Sequence, residues 1–182
     1  MRRSVVERFK LNSVLGTVVA QYGNPKGSRE AVLATISALE NALGKNRKEW
    51  IYWYVVSEYY MTNEEFGKFV HATQKCFELK PKDPRSIYAL ATAYFTITHA
   101  KDIGDTLKRE AANELKRISP DWAYNPEKSQ QVLDEMGLTA EQAGMEAITL
   151  FGFLLSEKLP SEDEMNIRLS LKGLHAKFPN LK

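Results

Sequence analysis

Three histidines, one cysteine and a few acidic clusters are the side chains of this 182-residue chain from which catalysis or metal binding could be built. A metal site announces itself in sequence by histidine, cysteine or carboxylate ligands a few residues apart. His71, His99 and His175 stand far from one another, and none has a second histidine, a cysteine or paired carboxylates at that spacing. Cys76 would act as a nucleophile only if its thiolate were stabilised, and its position in a helix where a small residue packs assigns it to the interior. Glu64-Glu65 and Glu162-Asp163-Glu164 could supply acid and base, but both stand where helices should begin, and negative charge there complements the helix dipole. The chain has no Gly-rich phosphate loop and no nucleophile elbow. These residues predict no enzyme, no cofactor and no metal.

The elements that would position any site are helices. Apolar residues recur at three- and four-residue spacing, as in Val14, Leu15, Val18, Val19, Tyr22 and in Ala31, Val32, Ile36, Leu39, Leu43, which makes stripes on helices. Thr62 with Glu65, Thr139 with Gln142 and Ser161 with Glu164 match the capping box. Asp83-Pro84 and Asn125-Pro126 each set a capping residue before a proline suited to the first helical position. Gly23, Gly44 and Gly137 read as stops, and Pro81, Pro120, Pro160 and Pro179 forbid continuation. Together these signals predict about nine helices, near residues 3–22, 28–43, 47–61, 63–79, 84–98, 105–118, 126–136, 140–158 and 162–177. The connections are short, so successive helices should pair antiparallel within a single domain over 1–182.

Composition is that of a folded protein, 43% hydrophobic and 26% charged, so wholesale disorder is not expected. The lone cysteine cannot form an internal bridge, and the early Glu7 leaves no apolar signal core, so the expectation is a soluble, cytoplasmic chain. Residues 1–48 hold nine basic and three acidic side chains, whereas 121–182 hold six basic and ten acidic, although the net charge is only +2. Such a gradient could steer a partner or favour head-to-tail self-contact.

A repeat runs through the chain. Trp53, Val56, Ser57 and Tyr60 set large, large, small and large residues at intervals of three, one and three. Ile87, Leu90, Ala91 and Tyr94 repeat the pattern 34 residues later, and Leu15, Val18, Val19 and Tyr22 show it 38 residues before. Ala31 and Ala38 follow Tyr22 by nine and sixteen residues, and Pro81 follows Tyr60 by 21. In these features the chain resembles the tetratricopeptide repeat family, whose 34-residue unit is a helix-turn-helix. The match covers 12–45, 50–83 and 84–120; Phe69 and Val19 depart from its small positions, and 121–182 fit a degenerate repeat or capping helices.

The resemblance implies an all-α, right-handed superhelical array of antiparallel hairpins whose first helices line a concave groove. Carried over by position, the groove residues are Ile51, Tyr54, Val55, Glu58 and Met61, then Arg85, Tyr88, Ala89, Thr92 and Phe95. A surface of aromatic anchors with a few polar groups suits a peptide or helix of another protein. The family's carboxylate clamp is not expected, because its positions hold Gly16, Ala20, Val55, Arg85 and Ala89, of which only Arg85 is a donor. The function expected is therefore an adaptor, scaffold or chaperone-like module. The alternatives are a self-assembling scaffold and a nucleic-acid-associated protein using the basic residues from Arg2 to Lys48.

Overall fold

The computed structural model describes residues 29–98, 126–157 and 161–181, and every regular element among them is helical. Two compact units divide after Ser86. Seven helices fall close to seven of the nine expected spans; the expected helices at 3–22 and 105–118 lie outside the described residues. No helix among the described residues is long and apolar enough to cross a membrane.

In the first unit α1 (Arg29–Lys45) turns inward the stripe Val32, Thr35, Ile36, Leu39 and Leu43. Gly44 does not stop it: the helix runs on through Lys45, and Asn46 closes it by donating its side-chain amide to the Ala42 carbonyl at 2.8 Å. An amide side chain that can bond a terminal carbonyl removes the need for a left-handed glycine.

α2 (Trp50–Thr62) packs against both α1 and α3 (Phe66–Leu79). A helix flanked on two sides needs apolar residues around most of its circumference. Tyr52, Tyr54, Val55, Val56, Tyr59 and Tyr60 are accordingly all buried. The Tyr60 hydroxyl donates to the Glu40 carboxylate at 2.7 Å, and Lys68 bridges that carboxylate at 3.1 Å, which ties the three helices together. The Trp53 indole donates to the Arg47 carbonyl at 2.9 Å and holds the preceding turn against α2.

The capping box expected at Thr62 and Glu65 is not formed. Thr62 donates back to the Glu58 carbonyl, while Glu65 accepts from Asn63 and pairs with Lys68. The α2–α3 turn is instead a Schellman closure, with Glu65 N–H on the Tyr60 carbonyl and Glu64 N–H on that of Met61. It forces Glu64 to a φ of 58°, a left-handed conformation that costs a side-chain-bearing residue roughly 1–2 kcal/mol. α4 (Pro84–Ile97) begins as expected, with Asp83 accepting the Arg85 backbone N–H at 3.0 Å.

The second unit takes in the remainder of α4 from Ile87, then α5 (Pro126–Met136), α6 (Ala140–Leu155) and α7 (Ser161–Lys177). Gly137 closes α5 at a φ of 66°, and the Leu138 N–H reaches the Leu133 carbonyl at 2.9 Å, so this stop is the one the glycine marks in sequence. Thr139 and Gln142 form both halves of their capping box, at 3.1 and 2.8 Å. The partner expected for Ser161, Glu164, gives its carboxylate to Arg168 one turn on. α6 and α7 pack as a hairpin in which the Phe178 ring lies over Gly144; a Cβ there would meet Phe178 Cε2 at 2.7 Å.

Candidate protein-interaction surfaces

The residues assigned by sequence to a concave groove fall into two settings. From α2, Tyr54 is 7% exposed and Val55 is fully covered, so neither presents a face, while Ile51, Glu58 and Met61 are partly exposed. Arg85 is engaged: its guanidinium lies 4.8 Å from the Trp50 ring centroid and its Nε donates to Asp83 at 2.8 Å. That bond holds the Asp83 carboxyl below the usual carboxylate range. Trp50 in turn meets the Tyr54 ring edge to face at 6.1 Å.

In the second unit, Tyr88 and Phe95 both set their rings edge to face against Phe151 of α6, at 6.1 and 6.5 Å. Phe95 is buried, whereas Tyr88 and Thr92 are partly exposed. These contacts are aromatic packing, the arrangement that ring quadrupoles favour.

Cys76, His71 and His175, among the described residues, each sit in a packed or hydrogen-bonded setting. Cys76 is buried, and burial pushes its thiol up to about 12, where almost no thiolate exists near neutrality. The His71 ring stacks edge to face on Trp53 at 5.8 Å, and His175 Nδ1 lies 3.0 Å from the Leu181 carbonyl, so each has a structural place. His99 is outside the described residues. Among the described residues no three histidine, cysteine or acidic side chains are grouped to hold a metal ion.

The surface that sequence reasoning passed over is the outer face of α6. Ala143, Ala147, Phe151 and Leu154 are buried on its inner side. Met145, Thr149, Gly152 and Phe153 fall on the other side at intervals of four, three and one, and all four are exposed. Met145 is 39% and Phe153 51% accessible. The signal was in the sequence: Ala140–Leu155 is apolar on more positions than one inward stripe can use. On α7, Met165 is also exposed, beside an open hollow of about 330 Å³ lined by Glu164, Met165, Arg168, Leu169 and Lys172, all from that one helix.

No family model matches the chain, and no curated protein or solved structure is significantly similar to it.

Proposed function

We propose that this chain is a protein-interaction module, an adaptor or scaffold, whose helical hairpins stack in the manner of tetratricopeptide repeats and hold a helix or peptide of a partner protein. The observation that carries the reading is the outer face of α6, where Met145 and Phe153 stand exposed about two turns apart, with Thr149 and Gly152 between them, on a helix already anchored by its other side. A methionine adapts its shape to a partner, a phenylalanine offers a rigid anchor, and the small residues between them allow a helix to approach. The spacing of two helix starts supports the repeat arrangement: α2 and α4 begin at Trp50 and Pro84, 34 residues apart.

Tyr54, Val55 and Phe95 are interior residues and take no part in the contact proposed; Ile51, Glu58 and Met61 of the first unit, and Tyr88 and Thr92 of the second, are partly exposed, each within its own unit. The test is affinity capture from the host of origin with the unaltered chain and with Met145→Ser/Phe153→Ser, both checked for helicity and melting. Specific recovery of one or a few proteins by the unaltered chain, lost with the double variant, is expected. Recovery of the same proteins by a well-folded double variant removes this face from the account.

A further inference from the structure

We propose that the basic end of the first unit docks on the acidic α5–α6 segment of a second copy of this chain, in a head-to-tail contact. This goes beyond the binding of a foreign helix by the α6 outer face and uses different residues. The first unit is an up-down-up arrangement, so the α1–α2 turn and the α3–α4 turn lie at one end. The contact of Arg85 with Trp50, at the starts of α4 and α2, fixes that juxtaposition.

This end carries Lys45, Arg47 and Lys48 from one turn and Lys80 and Lys82 from the other, all exposed. None of the five makes an ion pair with a described residue. Asp83 is already neutralised by Arg85, and Glu49 is the other acidic residue of these turns. Sequence places these two basic groups more than 30 residues apart; only the fold makes them one patch.

The opposite sign is gathered on the second unit. Residues 126–157 carry Glu127, Asp134, Glu135, Glu141, Glu146 and Glu157 against the single base Lys128, and all six carboxylates are exposed. Two fields of opposite sign on one nearly neutral chain complement each other between copies. A contact between different surfaces is heterologous, so it builds a ring or a growing chain. Lysine ammoniums are hydrated point charges, and attraction of this kind fades with salt.

The experiment is sedimentation velocity of the full chain over a range of concentrations, at about 0.01 M salt, where charges act over about 30 Å, and at about 1 M, where they act over about 3 Å. Growth from monomer to dimer and larger species at low salt, and its loss at high salt, is expected. Lys48→Glu/Lys82→Glu and Glu135→Lys/Glu146→Lys should each abolish association while keeping helicity and melting, and an equimolar mixture of the two should restore it. A monomer at every concentration in low salt overturns the proposal. So does association indifferent to salt or to either reversal. Loss with the lysine reversal alone, accompanied by nucleic acid absorbance in the preparation, assigns the basic end to a different partner and overturns it as well.

Discussion

α2 and α6 are similarly apolar helices of similar length, yet one is wrapped and the other is half bare. α2 lies between α1 and α3, and its tyrosines at 52, 54, 59 and 60 are all inside. α6 is anchored along Ala143, Ala147, Phe151 and Leu154 and leaves Met145 and Phe153 in the open. Hydrophobicity of a segment therefore does not decide its burial; the number of faces its neighbours cover does. In α2 the excess apolar surface goes into the core, and in α6 it stays open on the face proposed to meet a partner.

The largest difference between the two should appear on truncation. Tyr59→Ala, at a residue 1% exposed, is expected to destabilise by about 3–5 kcal/mol, as large-to-small changes of buried aromatic residues do. Phe153→Ala, at 51% exposure, should stay within about 0.5 kcal/mol. Urea unfolding of both variants reads this directly, and equal losses would break the contrast.

Alkali gives a second contrast. Burial, helped by the Glu58 charge, pushes Tyr59 up to about 12. The neutral phenol is thus favoured in the folded state, so its contribution is complete below about pH 10, the unfolded value, and is lost as pH rises through the folded value near 12. The expected loss is about 2–3 kcal/mol across that window, at about 1.4 kcal/mol per pH unit. Urea midpoints from pH 9 to 12 measure it together with the losses of the same sign from buried Tyr60 and Cys76, and Tyr59→Phe should make the dependence shallower by its own share. In the same range Cys76 should resist alkylation until the chain unfolds, because burial holds its thiol protonated.

Within α6 the two faces can be probed by one methyl group. Gly144→Ala brings a Cβ to 2.7 Å from the Phe178 ring and is expected to cost about 1–3 kcal/mol, relieved when Phe178 is also shortened to leucine. Gly152→Ala meets nothing within 4 Å on the open face and should stabilise by about 0.5–1 kcal/mol. Opposite signs in thermal melting would confirm which side is packed. A small gain is also expected at the end of α2, where Glu64→Gly should stabilise by about 1 kcal/mol by relieving the left-handed backbone at φ 58°.

The described helices were legible in the sequence because periodicity and caps are local properties. Proline after Asp83, glycine at 137 and the Thr139–Gln142 pair act within one turn of the chain, and each is found in the expected role. Gly44 does not act as a stop, nor Thr62–Glu65 as a capping box, because a competing local bond is available in each case, from Asn46 and from Lys68 with Asn63. The candidate surfaces were less legible. Whether Tyr54 or Met145 faces solvent depends on which neighbouring helix covers it, and that is fixed by tertiary packing rather than by spacing. Arg85 illustrates the same limit: its type suits a ligand, but Asp83 and Trp50 already engage it.

The most direct test of the division between a core α2 and a working α6 is site-specific photo-crosslinking in the host, with a photoreactive phenylalanine analogue placed at Phe153 in one protein and at Tyr59 in another. The account predicts a discrete intermolecular adduct from position 153 and none from position 59. An adduct from 59 with silence at 153, from folded protein, would contradict it.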